Sequence, residues 1–405
     1  MDIFSILSIV FIAASFLAVY VRPQVVLGVQ LLATPIFGHG LSSLGLGIGA
    51  VNLILAMVLF SLLVFALRNK GFRFLPSTFI EIMVLCLVAW VAITLIYTPS
   101  PNYGKSKLLF LLVISFPCLY IARLYFSNFT NARITAVSIG WYAIAVVFFF
   151  AAYVAVNSTG QIRISSTFFG ALTLGYVTVA TIPFLYAVFS TSGTLGRLLS
   201  GASFIFAAYI LAATGSRGPM LALVVATLLS LLRIRKFFRI SLALTIAASL
   251  SYLIASQYAS SGLERIIGST EGGANSVDSR ISLLQAATEQ FWLHPLFGQG
   301  SGSFSYFFHS QDVRYYPHNS FFEIAGELGL LGLVLFITIL YYCTKRIIKL
   351  RTNRLLNQPN YYWVIVCVQA LFYIGLINAF LSNDFPSQRI LFASLGLMAA
   401  TSRWA

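Results

Sequence analysis

Apolar runs of bilayer-spanning length follow one another along nearly the whole chain, and this pattern fixes the fold class. A span needs about 20 apolar residues, and it folds as a helix because lipid offers no partner to an unpaired backbone N–H or C=O. Such runs fall at roughly 3–21, 25–37, 43–67, 77–97, 107–125, 134–156, 168–190, 198–214, 218–232, 239–257, 319–343, 361–381 and 388–402. The run at 25–37 is the weakest, being short and holding Pro35. Run Ile3–Val21 has no small-residue cleavage site and reads as a retained span. The expectation is an all-α, polytopic integral membrane protein of about 12–13 transmembrane helices with one large external loop. Composition excludes the alternative: 9% of residues are charged and 59% are hydrophobic, whereas soluble domains carry about a quarter charged.

The net charge of +15 does not mark a nucleic-acid binder, because the basic residues sit in short loops between spans and form no basic domain. Alternating the loops puts 17 of the 25 Lys and Arg residues on one face and 8 on the other. The richer face holds Arg233, Arg235, Lys236 and Arg239, and also Lys345, Arg346, Lys349, Arg351 and Arg354. Cationic loops stay in the cytoplasm, so this face is cytoplasmic and its charges are read as topology signals. The polar stretch 258–317 then faces outward, dividing the chain into N-terminal helices (1–257), an external loop domain (258–317) and C-terminal helices (318–405). The four cysteines, Cys86, Cys118, Cys343 and Cys367, all lie in or beside apolar runs and read as buried thiols without a disulfide framework.

Outward-facing cations run against the rule. Arg217, Arg163, Arg280, Arg265, Arg314 and Lys105 are of this type, and with only ten acidic residues in the chain an anionic ligand is their natural counterpart. Arg217 stands in Thr214-Gly215-Ser216-Arg217-Gly218-Pro219, where Pro219 suits the first turn of a helix. A planar guanidinium there suits bidentate phosphate binding. Arg280 follows Asp278-Ser279, and either of those residues is a candidate cap for a helix over 279–292. His294-Pro295 ends that helix, and Gly298-Gln299-Gly300-Ser301-Gly302 forms a tight turn. That turn is either a plain helix stop or an anion-holding loop.

His318, in Pro317-His318-Asn319-Ser320, stands at the mouth of a span, and its ordinary pKa near 6.5 suits general-base work. Glu323 and Glu327 follow on that helix. Glu323 falls off the histidine's face, so the two are expected to pair with outward arginines or to line a cavity. Asp384, the lone acid of the last outward loop, is a candidate for orienting a sugar or a histidine. No phosphate-binding lysine loop, neighbouring carboxylate pair or HExxH motif is present, so metal-free, cofactor-free chemistry with one base and several arginines is expected. A good leaving group such as a lipid pyrophosphate fits that set. A transporter would instead place its charges near mid-span in paired halves.

Taken together, Thr214–Gly218, Asp278-Ser279-Arg280, His294–Gly300, and His318-Asn319 followed nine residues later by Gly329-x-x-Gly332 resemble the O-antigen ligase and O-antigen polymerase superfamily. The resemblance covers roughly residues 200–335 and implies a multi-helix protein of the bacterial inner membrane with a periplasmic flap. It implies a metal-independent, inverting transfer of glycan from undecaprenyl pyrophosphate to an acceptor hydroxyl, within membrane lipid and without nucleic acid. In that picture His318 is the base, and Arg217 and Arg280 hold the pyrophosphate. Read from the sequence itself, Arg163, Lys105, Arg265, Arg314, Asn319 and Asp384 are further candidate substrate contacts. The acceptor is lipid A-core for a ligase and another lipid-linked repeat unit for a polymerase; the His-Asn and Gly-x-x-Gly spacing resembles ligases.

Overall fold

The computed structural model describes residues 3–45, 49–68, 78–157, 170–231, 271–352, 359–382 and 384–404. Among them every regular element is helical. In chain order these are α1 (Ile3–Val21), α2 (Pro23–Ser43), α3 (Ala50–Arg68), α4 (Phe79–Thr94), α5 (Pro101–Tyr125), α6 (Phe129–Asn157) and α7 (Ala171–Thr191). There follow α8 (Thr194–Thr214), α9 (Arg217–Leu231), α10 (Glu271–Leu293), α11 (Ser303–His309), α12 (Ser320–Thr352), α13 (Pro359–Leu381) and α14 (Arg389–Ala400). Nine of the described helices are long and apolar enough to cross a membrane, with Phe79–Thr94 and Arg217–Ser230 as shorter apolar helices. The all-α, polytopic fold expected from the apolar runs is the fold observed. Run 239–257, the basic residues 233–239, Arg163 and Arg265 lie outside the described residues.

The weakest expected span proves to be one of the most deeply packed: 78% of the apolar window of α2 is buried. Its proline is accommodated by a π-helical turn at Val29–Ala33, just before Thr34-Pro35. The same device recurs in α5, where a π-turn at Leu111–Ser115 precedes Phe116-Pro117. Proline lacks an N–H and crowds the preceding turn, and a wider turn absorbs the mismatch without breaking the helix.

The chain divides into two compact units. In the first, comprising residues 1–72, 128–270 and 355–374, α7 packs against α6, α8 and α9. Gly215 closes α8 in the left-handed region (φ 59°), and α9 starts two residues later at Arg217. Pro219 falls in the first turn of α9 as expected, and it packs so closely on α7 that only a glycine fits opposite, at Gly175.

The second unit comprises residues 73–127, 271–354 and 375–405. Here α12 packs against α4 and α10, and α14 lies along the second half of α5. Thr78 and Glu81 form a capping box at the start of α4, and Glu81 is also ion-paired with Arg123 at 2.5 Å. The Arg123 guanidinium, near the end of α5, is largely buried against this carboxylate. Lys107, on α5, is buried in the interior of this unit. Cys118, Cys343 and Cys367 are buried as expected, whereas Cys86 is exposed on α4.

The helix carrying Arg280 begins at Glu271, so neither Asp278 nor Ser279 is its cap. The apolar period that signals it starts only at Ile281, and the glycines and polar residues before it carry no periodic cue. His294-Pro295 does end α10. Beyond it, the turn and α12 interlock backbone to backbone. Gln299 N donates to Gly326 O (3.2 Å) and Gly300 N to Glu327 O (2.8 Å), while Leu330 N donates to Pro295 O (2.8 Å) and Leu331 N to Leu296 O (3.2 Å). Two glycines permit this approach: Gly298 (φ 72°) and Gly329, whose φ of 68° and ψ of −165° put a kink in α12 in a region open essentially to glycine alone. Gly329→Ala adds a Cβ against the backbone of Leu296 and Gly298. The backbone strain alone costs about 1–3 kcal/mol, so a lowered unfolding temperature of the purified protein is expected. An unchanged value would show that the kink is not required.

Candidate active site

His318 sits where the flap hands over to α12, with its backbone in the left-handed region at φ 56°, uncommon for a residue with a side chain. Asn319 follows and caps α12, its Oδ1 accepting from Phe321 N (2.9 Å) and Phe322 N (3.3 Å). That oxygen therefore has a structural duty. The imidazole packs on the Tyr316 ring, and its Nδ1 is buried with no hydrogen-bond partner. Buried polar atoms are nearly always bonded, and this ring nitrogen has no acceptor or donor among the described residues. Burial and the nearby Arg280 guanidinium hold His318 below its ordinary pKa, against the opposing pull of Asp384. The ring is thus neutral at neutral pH, the form that accepts a proton.

Asp384 is 1% exposed and forms an ion pair with Arg314 at 3.1 Å. Tyr103 Oη donates to its other oxygen at 3.4 Å. Half of the Arg314 side chain remains exposed, and its guanidinium lies over the rings of Phe110 and Tyr316. Four of the expected residues, His318, Arg280, Arg314 and Asp384, therefore gather on one rim of the second unit. Lys105 is exposed on the first turns of α5. Arg217 lies exposed at the start of α9 in the first unit.

Beneath the rim lies a cluster that no spacing along the chain could assemble. Lys107 Nζ is 2.5 Å from Glu323 Oε1 and 2.6 Å from both oxygens of Glu327. The glutamates do pair with a cation, but it is a lysine from α5 and not an outward arginine. They also line a cavity of about 10 Å³ with Lys107, Ser301 and Phe385, room for about one water. Each glutamate reaches further: Glu327 Oε2 accepts from Gly302 N and Glu323 Oε2 from Phe385 N, both at 2.8 Å. One cation thereby ties α5, α12, the glycine turn and the segment beside Asp384.

The glycine turn is not an anion cradle. Gly298 N donates to His294 O, Ser301 N to Thr94 Oγ1 and Ser303 N to Gly300 O. With Gln299, Gly300 and Gly302 bonded as above, every N–H from 298 to 303 is committed to a protein acceptor. The glycines serve close packing.

The flap is held by a small core of Leu283, Ala286, Ala287 and Phe304, on which Phe308 and Tyr315 stack nearly parallel. Asp312 fastens it to α5, accepting from Ser100 Oγ (2.5 Å), Asn102 N (2.8 Å) and Tyr103 N (2.9 Å). Burial pushes the Asp312 carboxyl up, but these hydrogen bonds prevail and hold it below the usual range.

The chain is thus an all-α polytopic membrane protein in which a histidine at a helix mouth is grouped with guanidinium groups. Residues 202–337 match the family model described as O-antigen ligase, which supports membership in the O-antigen ligase and polymerase superfamily. The matched stretch contains Arg217, Arg280, His318, Gly329 and Gly332, while Lys107 and Asp384 lie outside it. A comparison with curated proteins gives no match.

Proposed function

We propose that this protein is a ligase of the bacterial inner membrane, transferring glycan from undecaprenyl pyrophosphate to a hydroxyl of lipid A-core on the periplasmic face. The observation that carries this reading is the neutral, orphaned imidazole of His318 beside Arg280, within the stretch matched to the ligase family. In the reaction, His318 takes the proton of the acceptor hydroxyl as its oxygen bonds to the anomeric carbon. The bond from that carbon to the pyrophosphate oxygen breaks on the opposite side, its electron pair leaving with the pyrophosphate, and the anomeric configuration inverts. Arg280 stabilises the charge that develops on the departing diphosphate. Arg314, steadied by Asp384, offers a further guanidinium to donor or acceptor. Removing one such contact lowers the rate by about 10²–10³.

A deletion strain supplies the test. Loss of a ligase leaves long polymer stranded on its carrier lipid. Single repeat units attached to the surface lipid would instead identify a repeat-unit polymerase, and unchanged surface glycan would overturn both.

A further inference from the structure

The segment Trp292-Leu293-His294-Pro295-Leu296-Phe297 belongs by sequence to the polar external loop, yet apart from His294 it presents an apolar surface. Trp292 is 71% exposed, Leu293 64%, Leu296 60% and Phe297 56%. An open groove of about 620 Å³ runs between Leu293–Gly298 and the side chains of Trp90 and Tyr97, which continue from α4. Exposed apolar surface of this kind marks an interaction site.

The depth of this segment follows from its partners. Leu330 N and Leu331 N donate to the carbonyls of Pro295 and Leu296, so the loop sits level with those leucines of α12. A hydrocarbon layer of about 30 Å takes about 20 helical residues at 1.5 Å each. Counting back from Lys345, the first cation after the apolar stretch, puts the outer boundary near Ala325. Leu330 and Leu331 then lie inside the hydrocarbon, and both are exposed, as lipid-facing residues are.

A second observation is independent of depth. In lipid an irregular backbone needs its carbonyls and N–H groups bonded within the protein, whereas in water it does not; here the carbonyls are bonded and the Leu296 and Phe297 N–H groups have no partner among the described residues. Four successive carbonyls here meet that condition. His294 O accepts from Gly298 N, Pro295 O from Leu330 N, Leu296 O from Leu331 N and Phe297 O from Tyr97 Oη. Pro295 itself brings no N–H. Trp90 Nε1 donates to Leu328 O, so both aromatic side chains of the groove turn their polar atoms inward to backbone oxygens. Amphipathic aromatics of this type populate the membrane interface.

We infer that residues 292–297 are embedded in the outer leaflet and that the groove against Trp90 and Tyr97 is filled by the acyl chains of bilayer lipids. The flap thus stands on the membrane through its own apolar foot as well as through the helices. This holds whether or not the transfer reaction is the one proposed above.

A Leu296→Cys variant in a Cys86→Ala background tests it, the three remaining cysteines being buried. The thiol is labelled with an environment-sensitive nitrobenzoxadiazole fluorophore and the protein reconstituted in phosphatidylcholine vesicles. Gln311→Cys, on the exposed part of the flap, is the aqueous control. The label at 296 is expected to emit at shorter wavelength than at 311 and to be quenched severalfold more by shallow doxyl-lipid than by iodide, with the opposite preference at 311. Equal iodide quenching at both positions would overturn the inference. Quenching by neither agent at 296 would also overturn it, since protein would then cover the groove. Leu293→Cys provides a second reporter should the first variant not fold.

Discussion

Lys107→Met is expected to destabilise the protein by about 3–5 kcal/mol, because it strips the cation from two buried carboxylates. Methionine keeps the length and apolar stem of the side chain, so the loss is chiefly one of charge. Lys107, Glu323 and Glu327 are each no more than 3% exposed, leaving water no route to compensate. The check is thermal unfolding of the purified protein in detergent, followed in lipid. Adding Glu323→Gln and Glu327→Gln to Lys107→Met should recover much of the lost stability, since a neutral cluster carries no uncompensated charge. Unfolding of Lys107→Met at the wild-type temperature would mean that the cluster does not balance charge. The same lesion should disturb the rim, because these carboxylates hold the N–H groups of Gly302 and Phe385, next to Asp384.

The second large effect concerns chemistry alone. His318→Ala, and His318→Asn, which tolerates the left-handed backbone better, should lower glycan transfer by about 10²–10⁴. Both should leave the protein inserted and its unfolding temperature near that of the wild type. Wild-type transfer by purified His318→Asn would remove the histidine from the mechanism. The pH profile sharpens the test. Transfer requires the neutral ring, so it rises with pH through the His318 pKa. Arg280 lowers that pKa and Asp384 raises it. Arg280→Gln should therefore move the acid limb to higher pH, beyond its effect on the plateau, and Asp384→Asn should move it to lower pH.

Much of the architecture could be read from hydropathy, because a bilayer imposes one length and one backbone solution on every span. Hydropathy carries least information where packing takes over. Residues 25–37 looked too short because proline interrupts the run, yet a π-turn carries α2 through it. The first turns of α10 escaped because Gly272, Gly273 and Asn275 carry no apolar period. At the site, His318, Arg280, Arg314 and Asp384 stood out because charge is rare in this chain, and the fold does bring them to one rim. Lys107 did not stand out as functional. A lysine at the edge of an apolar run reads as a boundary marker, and only the crossing of α5 with α12 reveals its two carboxylates. The run Gly298–Gly302 was legible as a close-approach turn, but what it approaches, the kink at Gly329, lies some thirty residues away and leaves no local trace.

That interlock also sets what separating the turn from α12 would cost. Pulling the turn away from α12 would sever paired main-chain bonds on both sides of Gly329 at once, so this seam is the last part of the flap to yield. Separation would cost least where side chains alone meet, as at the stacked rings of Phe304, Phe308 and Tyr315.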